Sequence, residues 1–118
     1  MTMTKQRAWA AVLGVAILSS VVLTSASASA GVTTSIKIRG FGYQPNATVV
    51  APGETIVVVN IDGRKQGIPH SLTSKDGLFD TGVFVLGHRE FTAPTEPGLY
   101  RYSCVVHPFM RGEFTVSG

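Results

Sequence analysis

At 118 residues the chain has the length of one domain, and its single cysteine rules out an internal disulfide framework. Ten Lys and Arg against seven Asp and Glu give a formal charge of +3, and 44% of the residues are hydrophobic. Two of the ten basic residues, Lys5 and Arg7, belong to an N-terminal segment of separate character. The remainder carries eight basic against seven acidic residues, which excludes a nucleic-acid footprint.

That segment, 1–30, reads as an export signal. Lys5 and Arg7 open it, 8–23 is apolar or small throughout, and 24–30 alternates small residues. Ala28-Ser29-Ala30 before Gly31 fits a signal-peptidase site. The apolar stretch is short for a membrane span and has no basic flank on its far side; an uncleaved N-terminal anchor is the competing reading. No cysteine lies near the cleavage region to carry a lipid, and Lys5-Gln6-Arg7 lacks the paired arginines of a twin-arginine signal. The expected organisation is therefore a signal over 1–30 and one domain over 31–118, placed in the periplasm or outside the cell. A domain of about 88 residues buries only about 60–65% of its unfolded-chain surface. A metal that binds only the folded state adds stability to such a fold by linkage.

From 31 onward the pattern is all-β. Short runs rich in Val, Ile, Thr, Tyr and Phe predict strands over 33–39, 47–51, 55–60, 70–73, 81–85, 89–92, 99–104 and 113–116. Turns are marked by Ala51-Pro52-Gly53, Ile61-Asp62-Gly63, Lys75-Asp76-Gly77 and Glu96-Pro97-Gly98. Many short strands at this spacing predict a single-domain sandwich or barrel, and no segment after 30 shows a helical period. In 99–104, Tyr100, Tyr102 and Cys104 share the inner face, as do Phe114 and Val116 further on. The connection 105–112 therefore crosses one end of the sandwich, where a thiolate can meet a histidine from another strand.

Beyond the signal, the chain has one cysteine and one methionine, and both lie in the run Tyr100-Arg101-Tyr102-Ser103-Cys104-Val105-Val106-His107-Pro108-Phe109-Met110. A free thiol in an oxidising compartment is a liability unless it is buried or bound to metal. A buried core cysteine is the plain alternative. Thiolate, imidazole and thioether at three-residue intervals nonetheless form a set that selects copper, in the trigonal arrangement of one Cys and two His with a weak axial Met. The second histidine must come from upstream, and His70 in Gly67-Ile68-Pro69-His70-Ser71 is the candidate. Zinc is the competing metal, but structural zinc needs a closed four-ligand shell in which methionine is a poor member.

The loop 104–112 resembles the ligand loop of the cupredoxins, and its Cys-x2-His-x2-Met spacing with Pro-Phe is most similar to the amicyanin branch. Ile68-Pro69-His70 resembles the family's first-ligand segment. Phe41-Gly42-Tyr43-Gln44-Pro45, Pro52-Gly53-Glu54 and Val59-Asn60 match its usual pattern, and Leu78-Phe79-Asp80-Thr81-Gly82 is similar to plastocyanin. The resemblance runs from about Ser35 to Val116. It implies a Greek-key β-sandwich or barrel, one type 1 copper per chain, and His70, Cys104, His107 and Met110 as ligands. It also implies a monomeric carrier of single electrons between a donor and an acceptor redox protein, both bound transiently, and no enzymatic activity. The backbone N–H of Ser71 is expected to reach the Cys104 sulfur, with the Ser71 side chain of little consequence. His107 is expected to face solvent within an apolar ring of Pro108, Phe109, Pro69 and Ile68.

Two alternatives from other classes remain. A periplasmic or extracellular copper-binding or copper-delivery protein would use the same ligands, and would exchange copper readily. A cysteine hydrolase built on Cys104 and His107 would need an oriented base and an oxyanion site. No further histidine cluster exists for a second copper centre, which excludes a multicopper oxidase or copper nitrite reductase for this chain alone. His88 lies in a polar turn and reads as solvated. Arg64 and Lys65 either steer an acidic partner or merely solvate a turn. Tyr100 and Tyr102 are core residues by default, and Asn46-Ala47-Thr48 has the form of a glycosylation acceptor.

Overall fold

The computed structural model describes residues 14–22 and 32–118. Residues 14–22 are exposed and belong to no helix or strand, and no helix among the described residues is long and apolar enough to cross a membrane. The charged start at Lys5 and Arg7 and the cleavage sequence Ala28-Ser29-Ala30 lie outside the described residues.

The elements run β1 (Thr34–Ile38), β2 (Tyr43–Gln44), β3 (Ala47–Val50), β4 (Thr55–Asn60), α1 (Ile61–Gln66), β5 (Thr73–Ser74), β6 (His88–Thr92), β7 (Gly98–Ser103) and β8 (Arg111–Val116). They form two four-stranded sheets, ordered β2-β1-β4-β6 and β3-β8-β7-β5. Each sheet contains one parallel pair, β1 with β4 (Ile36 opposite Val58) and β3 with β8 (Val50 opposite Val116). The period-2 alternation read from the sequence supplies the core. Ile36, Ile38, Ile56 and Val58 face inward from one sheet, and Val50, Tyr102, Phe114 and Val116 from the other. Each such side chain, fully buried, contributes roughly 1.5–3 kcal/mol. Phe79 fills the space between them, stacked on Phe91 at 4.7 Å and tilted against Phe114 at 5.0 Å.

Six of the eight predicted strands are present within a residue or two of their expected ends. The other two, 70–73 and 81–85, shrink to β5 and an isolated bridge between His70 and Phe84. The reason is local. Gly82 turns the chain at φ +69, and the Thr81 hydroxyl takes over ladder bonds, accepting from the Leu72 N–H at 2.9 Å and donating to the Gly82 carbonyl at 2.8 Å. The expectation of no helix is corrected by α1, which occupies the Ile61-Asp62-Gly63 turn and continues to Gln66. Asn60 caps it by accepting from the Gly63 N–H at 2.8 Å, and Gly67 closes it at φ +69 with its N–H on the Gly63 carbonyl. Gly63 is also a close-approach position: a Cβ there would run into the Val85 carbonyl.

Candidate metal centre

Cys104 directly follows β7 and is buried, as its place on the Tyr102 face predicts. The loop after it is closed on itself. The Cys104 N–H donates to the Met110 carbonyl at 3.2 Å and the Met110 N–H to the His107 carbonyl at 2.9 Å, so the turn brings His107 back over the thiol. β8 begins at once with Arg111 and Gly112, and a Cβ at Gly112 would lie 2.5 Å from the Tyr102 ring. A glycine is required there for the loop to return beside the strand it left.

His70 comes from the other side of the sandwich end, and the donor atoms converge. The Cys104 Sγ lies 3.9 Å from His70 Nδ1 and 3.9 Å from His107 Nδ1, and the two Nδ1 atoms are 3.2 Å apart. All three atoms fall within 4.8 Å of one another. Such spacings are what one ion about 2.0–2.1 Å from each nitrogen and about 2.3 Å from the sulfur would require of the three donors. One soft and two borderline donors in a trigonal set suit a transition metal of the copper type better than a hard cation.

The surroundings fix the first histidine. His70 Nε2 lies 2.9 Å from an Asp62 carboxylate oxygen, which assigns the ring proton to Nε2 and leaves the Nδ1 lone pair facing the thiol. Its backbone is held on both sides by Phe84, through bonds of 3.1 and 2.9 Å. Asn60 ties these pieces together. Beyond capping α1, its amide donates to the Ile68 and Phe84 carbonyls, each at 2.9 Å. The Tyr43 hydroxyl donates to the Ser71 carbonyl at 2.6 Å, and burial, then the neighbouring Cys104 and Tyr102, pushes its pKa far up and keeps it a neutral donor. The Ser71 N–H reaches the Cys104 sulfur at 3.3 Å, as expected. The Ser71 hydroxyl does more than expected: it accepts from the Val105 N–H at 3.0 Å and pairs with the Thr73 hydroxyl at 2.9 Å, bracing the loop immediately after the thiol.

Asp62 has a second task. Its two oxygens accept from the Gly40 N–H at 2.8 Å and the Phe41 N–H at 2.9 Å. Burial raises the carboxyl pKa, but these two bonds and the His70 imidazole outweigh burial and hold it below the ordinary aspartate range. Phe41 needs that support, because its φ is +56, a left-handed conformation that costs a bulky residue on the order of 1–3 kcal/mol. Hydrogen bonds to a charged acceptor contribute roughly 1.5–3 kcal/mol each, enough to hold the turn. The Phe41 ring then stands nearly perpendicular to both imidazoles, 5.4 Å from His70 and 5.0 Å from His107.

Of the residues expected at the site, His70, Cys104 and His107 are brought together. Met110 is buried in the core at the base of the same loop. His88 is exposed, as expected, but opens β6 opposite Val59 and not a turn, away from the cluster, and Arg64 and Lys65 are exposed in the last turn of α1. Tyr102 is a core residue, and half-buried Tyr100 packs on Phe114 with its hydroxyl on the Glu96 carbonyl at 2.6 Å. Phe109 is 69% exposed beside His107. Sequence reasoning missed Asp62, read only as a turn residue, and the role of Phe41. The Asn60-to-Gly67 cap pair was the available signal for a short helix that would carry Asp62 under His70.

A family model described as a cupredoxin-like domain matches residues 10–116. Among solved structures, the chain is similar to an oxidised methionine-to-leucine variant of amicyanin, at 24% identity over 71% of this chain and 81% of that one, with a TM-score of 0.61. It is similar to a reduced Cu(I) form of a proline-to-glycine amicyanin variant at pH 4, at 24% identity over 75% and 85%, with a TM-score of 0.62. A copper-containing nitrite reductase from Thermus scotoductus SA-01 is similar at 25% identity and a TM-score of 0.58, over 73% of this chain but only 22% of that one. No curated protein sequence matches.

Proposed function

The chain belongs to the cupredoxin-like family, and from that membership we propose that it is an exported blue copper protein carrying single electrons through one type 1 centre ligated by His70, Cys104, His107 and Met110. The observation that carries this reading is the convergence of one thiol and two imidazole nitrogens within 4.8 Å at one end of the β-sandwich. Copper supplies the one-electron couple when bound. The protein's part is to hold the donors so that neither oxidation state is perfectly suited and both are acceptable, which keeps rearrangement small. Asp62 sets the His70 tautomer, the Ser71 N–H draws charge from the sulfur, and the closed turn 104–110 fixes His107 and Met110 relative to the thiol. A donor set braced this thoroughly favours electron transfer over copper delivery, which works through a site that opens and exchanges.

His107 is half-buried and lies beside exposed Phe109, Val105 and Val106, an apolar contact suited to brief docking by redox donors and acceptors. The segment 1–30 serves as the export signal, the working compartment is the periplasm or beyond, and the protein acts as a monomer without catalysing a reaction of its own. Copper(II) added to purified mature protein is expected to give an intense visible thiolate-to-copper band and narrow copper hyperfine splitting. A colourless or ordinary pale-blue product would sink the proposal.

A further inference from the structure

We infer that Phe41 is a specificity-determining lid over the centre, and that Asp62 is the positioning residue that holds it shut: together they decide which small anions and chelators reach the donor atoms. The inference rests on the proposed copper site for its cargo, while the lid itself rests on geometry alone. Three observations meet here. The turn 39–42 is closed by reciprocal backbone bonds between Arg39 and Gly42, and it places a phenylalanine where φ is +56, a position that glycine or asparagine fills without strain. The strained residue is the one whose ring lies against both imidazoles, at interplanar angles of 87° and 85°. The carboxylate that stabilises the strained turn is the same one that orients His70, so the ring's place and the ligand's place are set by one group.

The ring has the chemistry of a barrier. It carries no donor or acceptor and is 38% exposed, so one side meets solvent while the other covers the imidazoles. An anion such as azide, or a chelating carboxylate, gains nothing from it and must displace it. An electron crosses a single ring without displacing anything. Phe109 is the comparison within the same surface: its ring lies 6.0 Å from His107 and 6.2 Å from Phe41, but it is far more exposed and its backbone N–H makes no bond to Asp62.

The test uses mature protein with Phe41→Gly, Asp62→Asn and Phe109→Ala. Copper-loaded protein is challenged with azide, read in the visible spectrum, and with EDTA, read as the rate of bleaching. Apo protein is challenged with iodoacetamide at Cys104, read by mass. Phe41→Gly is expected to speed copper loss and thiol alkylation by about tenfold, and Asp62→Asn and Phe109→Ala, whose ring only flanks Phe41, to do so to a lesser degree. Azide should perturb the spectrum of Phe41→Gly at concentrations that leave the parent protein unaffected. Equal rates in Phe41→Gly and the parent would overturn the lid, as would equal acceleration in Phe109→Ala. Acceleration in Phe41→Gly with none in Asp62→Asn would overturn the role of Asp62. If no protein takes up copper but alkylation still accelerates, the lid stands and the copper reading falls.

Discussion

His70 is fully buried, its outer ring nitrogen on Asp62 and its backbone paired on both sides with Phe84, whereas His107 is half-buried in a loop whose Val105, Val106 and Phe109 face solvent. Both nitrogens approach the same sulfur at the same 3.9 Å. The two halves of the centre thus reach one geometry by different means. On the β4–α1 side, the buried side chains of Asn60, Asp62 and His70 hold the surrounding backbone and one another in place through hydrogen bonds. On the loop side, a tight turn with two backbone bonds and the Ser71 brace on the Val105 N–H do the holding, and Val105, Val106 and Phe109 stay exposed. The proposed carrier role asks for rigidity toward the metal and access for a partner, and the two histidines divide those demands.

The largest effect should come from the atom that both halves share. Cys104→Ser is expected to abolish the visible charge-transfer band entirely, because thiolate dominates the bonding; absorption spectroscopy after copper(II) addition reads this directly, and retained colour would refute the assignment. Next comes the contrast between the halves. Asn60→Ala removes the α1 cap, leaves the Ile68 carbonyl without its side-chain donor and leaves the Phe84 carbonyl with the His70 N–H alone, so chemical denaturation should show a loss of about 2–4 kcal/mol. Phe109→Ala, on the exposed loop, should stay within about 0.5 kcal/mol of the parent. Equal losses would dissolve the distinction.

Met110→Leu, close to isosteric, should keep the blue colour and raise the reduction potential by on the order of 60 mV, a tenfold change in relative affinity for the two oxidation states. Voltammetry decides it, and a fall in potential would remove methionine from the axial role. The smallest effect is expected at Ser71→Ala. The backbone donor to the sulfur survives, so the potential should hardly move, but the Val105 N–H loses its acceptor and stability should fall by about 1 kcal/mol. A large potential shift with unchanged stability would reverse that reading.

What could be read in advance follows from the range of each signal. Strand alternation is local, so Tyr102 and Cys104, and Phe114 and Val116, announced their inner faces directly. The loop 104–110 was equally plain, since its donors sit within one turn of chain. The fixing of His70 was not. A helix of six residues is too short to display a 3.6-residue period, and an aspartate eight positions before a histidine says nothing about contact until the helix between them is known. The contact between Phe41 and the imidazoles joins residues 29 and 66 positions apart through the sandwich, a relation carried by topology and not by spacing. The run 81–85 failed for the opposite reason: its β-forming residues are real, but Gly82 and the Thr81 hydroxyl satisfy the backbone differently.

The closed turn from Cys104 to Met110 has a consequence for the unfolded chain. Cys104, His107 and Met110 travel together whether or not the sandwich exists, while His70 lies 37 residues from His107 and joins only when the sheets meet. An unfolded chain therefore keeps three of the four proposed donors within reach of a metal ion, and affinity for that state offsets the stabilisation gained on folding. On the proposed ligand set, copper would therefore stabilise the fold only by the margin that His70, fixed by Asp62, adds to the donors of the loop.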